Sequence, residues 1–194
     1  MIASLLLLGV AAATPSLQGV SDFAGYWERD PERSDDPEEK MQAAFQQMRD
    51  RMGSGGAPPG GGPPPGGGGA PPGGRRGGRG GGLPSFSTVP DELTIEVDGN
   101  EVTLDTGERI QIYFLDGEKH RRELENGMKL ETVSRLQGSA ILIEEKFERG
   151  KIDRKLELGP DGQTLVVTWT IKMGNMKDPV VIRTVYDRVT DEGP

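Results

Sequence analysis

From Glu92 to Val189 the sequence is a succession of short apolar–polar alternations, each followed by a turn signal such as Gly99-Asn100. Alternation with a period of two predicts β-strands that bury one face. Because every connection is short, successive strands are expected to pair antiparallel. About nine strands are predicted over 91–190, and closing their sheet on itself would remove its exposed edges. The predicted fold class is therefore all-β, an antiparallel up-and-down meander barrel of about 8–10 strands.

Two further elements are predicted before this region. Residues 22–30 form the first barrel strand, and a helix follows over 37–52. Pro37 suits the first helical position, with Ser34 or Asp36 as the cap. The helix is amphipathic because its apolar residues recur at spacings of three and four: Met41, Ala44, Phe45, Met48 and Met52. A methionine-rich stripe predicts packing on an adaptable surface; the alternative is a marginal helix within a disordered insertion.

A low-complexity segment separates this helix from the later strands. Of the 30 glycines and 15 prolines, 17 and 7 lie between Gly53 and Gly82. Such a chain loses much backbone entropy on ordering and has few side chains to bury, so 53–85 is predicted to be a disordered Gly/Pro-rich insertion. Arg75, Arg76 and Arg79 resemble segments that contact single-stranded nucleic acid. A plain linker is favoured, because the segment lacks aromatic residues.

The N-terminus resembles an export signal. Ile2 to Ala13 is apolar, contains four consecutive leucines and ends in three small alanines. The run is shorter than the ~20 residues that span a bilayer. Residues 1–13 are therefore predicted to be a signal peptide, and the mature protein is expected to be exported, periplasmic or secreted, without a transmembrane segment. The alternative is a buried N-terminal strand or helix.

Composition excludes many kinds of chemistry. The net charge of −8 argues against a duplex nucleic-acid binder, which needs a broad basic surface. With no cysteine and only one histidine, His120, neither a thiol nucleophile, a Ser/His/Asp triad nor a multi-histidine zinc site is expected. No glycine-rich phosphate loop lies between a strand and a helix. We therefore predict no catalytic residue, no metal, no cofactor and no enzyme activity.

Turn signals predict the hairpins of this region, and two of them bear on the site. Ile110, Ile112 and Phe114 continue the alternating pattern, and Asp116-Gly117 is predicted to turn this strand into a charged one. A second turn is predicted at Arg149-Gly150.

The turn at Arg149-Gly150 predicts a register. It places Glu145 opposite Arg154 and Phe147 opposite Ile152, so that charged residues meet opposite charges and apolar residues meet apolar ones. Alternation then places Glu145 and Arg154 on the inward face, which is costly unless they are paired or hydrated.

Three more polar or aromatic residues are predicted on the same inward wall. Matching Leu158 to Leu165 across the next turn puts Trp169 beside Arg154, and the preceding strand adds Thr132 and Ser134. A cavity holding water or a polar ligand head would account for this wall. The alternative is a buried Arg–Glu pair that only fixes the register.

Motifs at both ends of the domain resemble the calycin superfamily, which includes lipocalins and fatty-acid-binding proteins. Gly25-Tyr26-Trp27 matches G-x-W on the first strand, and Tyr186-Asp187-Arg188 matches Y-x-R on the last. The resemblance implies that Trp27 packs under Arg188 to close the barrel, and that the helix covers the barrel mouth. The chain also resembles uncharacterised exported bacterial lipocalin-like proteins, which implies a fold and no activity.

The ligand site of fatty-acid-binding proteins transfers only in part. The resemblance implies a carboxylate held by R-x-Y in the last strand, but here Arg183 and Tyr186 have R-x-x-Y spacing and point to opposite faces. The candidate ligand-binding residues are therefore Arg154, Glu145, Trp169, Thr132, Ser134 and Tyr186.

The sequence favours an exported, non-enzymatic barrel that binds a small hydrophobic or amphiphilic, lipid-like ligand. An anionic head would face Arg154, and the tail is predicted to run along four apolar residues: Leu165, Val167, Ile171 and Phe147. The alternative is a structural or protein-interaction module with a filled barrel and no ligand, whose protein partner the sequence does not identify.

Overall fold

The computed structural model describes residues 19–53, 89–124, 127–174 and 176–190. The predicted signal peptide (1–13) and residues 54–85 of the predicted insertion lie outside these ranges. A 3₁₀ turn (Ser21–Phe23) precedes the other elements, which in chain order are β1 (Gly25–Arg29), α1 (Pro37–Gly53), β2 (Glu92–Asp98), β3 (Glu101–Asp105), β4 (Ile110–Phe114), β5 (Asp116–Glu123), β6 (Lys129–Gln137), β7 (Ala140–Phe147), β8 (Gly150–Leu158), β9 (Thr164–Met173) and β10 (Val180–Val189).

The strands of the described ranges form one antiparallel sheet of ten, in the order β4-β3-β2-β1-β10-β9-β8-β7-β6-β5. The strand β1 pairs with both β2 and β10, so it joins the two ends of the meander. This confirms the predicted all-β up-and-down barrel with one helix after the first strand. The wall is nearly closed.

The predicted hairpin between β4 and β5 is wrong, because these two strands form the unpaired edges of the sheet. One residue, Leu115, separates them, and the pairing of β5 with β6 shifts register between Asp116 and Lys119. β5 contains no apolar residue, and it contacts β4 through the His120 ring, whose centroid lies 5.1 Å from that of Phe114. The Ser134 hydroxyl of β6 donates to the Phe114 carbonyl of β4 at 2.7 Å.

The predicted register of the β7–β8 hairpin is wrong by two residues. The turn is at 148–149, so Phe147 pairs with Gly150 and Glu145 pairs with Ile152. Gly150 fits because a Cβ there would lie 3.0 Å from the Phe147 ring and 2.5 Å from the Lys172 carbonyl oxygen. A shift of two residues is one full period of the strand, so the predicted inward faces are unchanged.

The helix α1 begins beside β10. The Asp36 carboxylate accepts hydrogen bonds from the backbone N–H groups of Glu38 and Glu39, which makes it the N-cap. Ser34 instead accepts a hydrogen bond from the Val185 backbone N–H at 2.9 Å. Within the predicted apolar stripe Met41 is buried, whereas Phe45 is exposed, so the helix covers the core only over its first turns.

Side chains of alternate strand positions fill the interior, and the hydrophobic core extends from Phe23 and Trp27 at one end to Met41 at the other. Within the described ranges, no helix has the length and apolar character that crossing a lipid bilayer would require.

Candidate ligand-binding site

A buried polar cluster surrounds Arg154 on β8. The Arg154 guanidinium donates to the Glu145 carboxylate, to the Tyr113 hydroxyl and, at 3.3 Å, to the Gln111 side-chain oxygen. The Tyr113 hydroxyl donates to the other oxygen of the Glu145 carboxylate at 3.1 Å. Arg154 is 4% exposed and Glu145 0%. The two form a buried ion pair that a phenol bridges.

Strand register explains how these side chains meet. Arg154 pairs with Trp169 of β9, as the sequence predicted, and its guanidinium lies 5.0 Å from the Trp169 ring centroid. Gln111 and Tyr113 project inward from β4, on the far side of the barrel, and the Tyr113 centroid is 5.2 Å away. Four strands therefore converge on one guanidinium.

The guanidinium of Arg154 and the phenols near it have raised pKa values. Burial alone would disfavour the charged guanidinium of Arg154, but Glu145 and Tyr113 more than offset it and raise the pKa of Arg154. Burial also raises the pKa of Tyr113 and that of Tyr186. Near neutral pH, Arg154 is charged and both phenols carry their protons.

Arg154 is at the end of an open cavity of about 370 Å³. Its apolar wall is formed by Leu93, Leu104, Leu156 and Val167. The mouth lies between the start of β2 and the turn that joins β3 to β4, where its charged residues are Asp91, Glu92, Glu108 and Arg109. A small molecule could therefore have an apolar side against the leucines and a polar side against Arg154.

Three N–H groups on cavity-lining residues have no hydrogen-bond partner among the described residues. They are the Nε of Arg154, the Nε2 of Gln111 and the Nε1 of Trp169, and each is buried. Buried donors without acceptors cost about 1–3 kcal/mol each, so such groups in a folded protein normally have a partner. All three are donors, so the missing partner must accept hydrogen bonds.

The structure divides the predicted binding residues into two groups. Arg154, Trp169 and Tyr186 line the cavity, and the Tyr186 hydroxyl donates to the Pro90 carbonyl at 2.9 Å. Glu145 lies behind Arg154. Thr132 and Ser134 are buried but do not line the cavity.

Of the four residues predicted to contact a tail, only Val167 lines the cavity. Leu165, Ile171 and Phe147 are buried in the core elsewhere. Arg183 faces outward on β10, as its spacing from Tyr186 predicted, and its backbone N–H donates to the Asp35 carboxylate.

Gln111 and Tyr113 were not predicted from the sequence. The apolar residues Ile110, Ile112 and Phe114 dominated the pattern of that strand, but they are exposed on its outer face. On β4 the apolar side chains Ile110 and Ile112 face outward and Gln111 faces inward, the reverse of the usual arrangement. The pairing of β4 with β3 is what indicates that these two side chains face inward, since Tyr113 lies opposite the buried Val102 and Gln111 opposite the buried Leu104.

The opposite end of the barrel forms a closed floor. The Arg188 guanidinium lies 4.2 Å from the Trp27 ring centroid, and Trp27 pairs with Arg188 in the ladder. The Trp27 indole N–H donates to the Phe23 carbonyl at 3.0 Å. Arg188 donates to three backbone carbonyls, those of Asp22, Ala24 and Gly162.

No family model and no curated protein sequence matches the chain. Solved structures do. The Schistosoma mansoni fatty-acid-binding protein in complex with arachidonic acid is 13% identical, the match covers 89% of this chain and 99% of that one, and the TM-score is 0.50. An abundant heat-soluble (SAHS) protein from Ramazzottius varieornatus is 10% identical, with coverage of 87% and 96% and a TM-score of 0.50. At these identities the likeness concerns the fold alone: the chain has the same up-and-down barrel fold as these two proteins, the fold that the resemblance of its G-x-W and Y-x-R motifs implied.

Proposed function

We propose that this protein binds a small hydrophobic or amphiphilic molecule in its barrel and performs no chemistry on it. The observation that carries the proposal is the cavity of about 370 Å³, three of whose lining side chains each have a buried N–H donor without an acceptor among the described residues. A ligand head that accepts hydrogen bonds would satisfy these donors, and its apolar part would lie against Leu104, Leu156 and Val167.

The head group is proposed to be anionic, because Arg154 supplies a positive charge at the end of the cavity. A carboxylate could accept from the Nε of Arg154 and from the indole of Trp169 together. A fatty acid is a reasonable first ligand to test, since a solved structure of the same fold holds arachidonic acid.

The absence of chemistry is proposed from the residues that line the cavity. They include no cysteine, serine or histidine, and the one histidine in the sequence, His120, contacts the Asp116 carboxylate at 2.9 Å outside the cavity. The cavity thus lacks the serine–histidine and cysteine–histidine pairs of nucleophile and base. The hydroxyl of its Thr106 donates to the Arg109 carbonyl at 3.3 Å.

Export is proposed from the sequence of residues 1–13. Expression of the full chain in its source organism, followed by cell fractionation, would test it. N-terminal sequencing of the exported form should begin near Thr14, whereas an intact leucine-rich N-terminus would contradict the proposal.

Binding can be measured with the protein's own fluorescence. The chain has two tryptophans: Trp169 lines the cavity and Trp27 is buried in the floor. Dodecanoic acid added to delipidated protein should change the emission of the wild type. The variant Trp169→Phe, which keeps only Trp27, should show no change.

A cavity-filling variant provides a second readout. Val167→Trp should abolish binding of dodecanoic acid, measured by isothermal titration calorimetry, because the indole would occupy the cavity. Val181→Trp introduces the same side chain at an exposed position of β10 and should leave binding intact. Wild-type protein that binds neither dodecanoic acid nor dodecanol, and carries no co-purified lipid in native mass spectrometry, would favour a filled structural module instead.

A further inference from the structure

The buried carboxylate of Glu145 lies between two guanidinium groups. Arg154 contacts one of its oxygens from inside the barrel, and the Nη2 of Arg122 lies 3.6 Å from the other. Glu145 is 0% exposed, whereas Arg122 is 40% exposed. One carboxylate is therefore shared by a buried and a half-exposed arginine.

The gap in the barrel wall explains the position of Arg122. In the β5–β6 ladder Arg122 pairs with Leu130, which is buried, so Arg122 lies on the inward face of β5. Because β4 and β5 do not pair, solvent reaches this inward side chain. The neighbouring Arg121 lies on the outer face, is more exposed and donates to Glu131 at 3.1 Å.

The charge count at the end of the cavity depends on Arg122. Glu145 alone would neutralise Arg154, and the cluster would carry no net charge. With Arg122 in contact with the same carboxylate, two positive charges face one negative charge, and one positive charge remains for a ligand.

The cavity mouth makes this remaining charge important. Three carboxylates, those of Asp91, Glu92 and Glu108, lie at the mouth beside Arg109, and Asp91 is also paired with Arg29 at 3.0 Å. These carboxylates disfavour an anionic ligand, so a preference for one must come from the inner cluster.

We propose that Arg122 is a specificity-determining residue: by sharing Glu145, it keeps Arg154 electrostatically available and biases the cavity towards anionic head groups. Arg122 acts through Glu145 as a positioning residue and does not touch the ligand. The inference rests on the proposed binding function and adds to it the residue that selects the charge class of the ligand.

The test compares two ligands that differ in the charge of the head. Dissociation constants for dodecanoic acid and dodecanol are measured at pH 8 by isothermal titration calorimetry, with wild type, Arg122→Gln, Arg122→Lys and Arg121→Gln. We expect Arg122→Gln to weaken binding of the acid by about threefold to tenfold, since the arginine is partly screened by solvent. Dodecanol binding should stay the same, and Arg122→Lys should restore most of the acid preference.

Arg121→Gln is the matched control because it removes the same charge from the adjacent residue without contact with Glu145. It should leave the ratio of the two dissociation constants unchanged. An equal loss of acid preference in Arg121→Gln, or an equal weakening of both ligands in Arg122→Gln, would overturn the inference. Equal binding of both ligands by the wild type would also overturn it, together with the proposed anionic head, and would leave the binding of a hydrophobic or amphiphilic molecule intact. Binding of neither ligand would overturn that binding function as well.

Discussion

The barrel contains the same pair of residue types twice, an arginine beside a tryptophan, and the two sites differ in how their polar groups are satisfied. At the floor, Arg188 over Trp27 donates to three backbone carbonyls, and the indole N–H is bonded to Phe23. At the cavity, Arg154 beside Trp169 retains an unpartnered Nε, and the Trp169 indole N–H has no acceptor among the described residues. The arginine and tryptophan at the floor donate to backbone carbonyls and close the barrel. The arginine and tryptophan at the cavity keep N–H groups that a ligand could accept hydrogen bonds from.

The largest expected effect comes from removing Glu145, the counter-ion of Arg154. Glu145→Gln leaves the Arg154 guanidinium buried without its counter-ion and should reduce the free energy of unfolding by about 3–5 kcal/mol. Urea denaturation followed by circular dichroism measures this. Replacing both residues, Glu145→Leu with Arg154→Met, should cost clearly less than Glu145→Gln and should abolish binding of dodecanoic acid. A double variant that is less stable than Glu145→Gln would contradict the expectation that a buried guanidinium without its counter-ion costs more than loss of the whole ion pair.

A smaller effect separates the two tryptophans directly. Trp27→Phe removes an indole N–H that is bonded to the Phe23 carbonyl and leaves that buried carbonyl unpaired, so it should cost about 1–3 kcal/mol more stability than Trp169→Phe. Trp169→Phe removes a donor without a protein partner and should instead weaken ligand binding. Thermal unfolding of both variants gives the loss of stability, and calorimetric titration of both gives the change in ligand binding. Equal stability losses, with no change in binding for Trp169→Phe, would remove the distinction between floor and cavity.

The smallest expected effect is a loss of folding stability in alkaline solution. Burial raises the pKa of Tyr113 and of Tyr186, so both phenols stay protonated in the folded state above the pH at which unfolded tyrosine ionises, 10.0. Their stabilising contribution is complete below that pH and is lost as the pH rises towards the folded-state pKa. Melting temperatures should therefore fall above about pH 10. Tyr113→Phe, which titrates no phenol at that position, should show a shallower fall, and an unchanged slope would count against this source of the pH dependence.

Much of the wall could be predicted from sequence because side-chain alternation survives errors in register. The hairpin containing Glu145 and Arg154 is paired two residues away from the predicted register, yet both side chains point inward as expected. Pairing of unlike charges favoured the wrong turn. The decisive contact, the Phe147 ring over Gly150, is a packing constraint that charge pairing does not reveal.

The opposite wall of the site was harder to predict. On β4 the apolar Ile110 and Ile112 face outward and Gln111 and Tyr113 face inward, because a buried arginine from β8 requires polar partners there. That requirement depends on which strands lie across the barrel from one another. Local alternation contains no information on it.

The position of β1 between β2 and β10 has a consequence for how the domain assembles. The other ladders of the sheet join strands that follow one another in the chain, whereas the floor contact between Arg188 and the Ala24 carbonyl joins residues 164 positions apart. Bringing such distant segments together carries the largest loop-closure entropy in the molecule and slows the step that depends on it. We therefore expect the hairpins to form before β1 docks, so that the floor of the barrel is completed last.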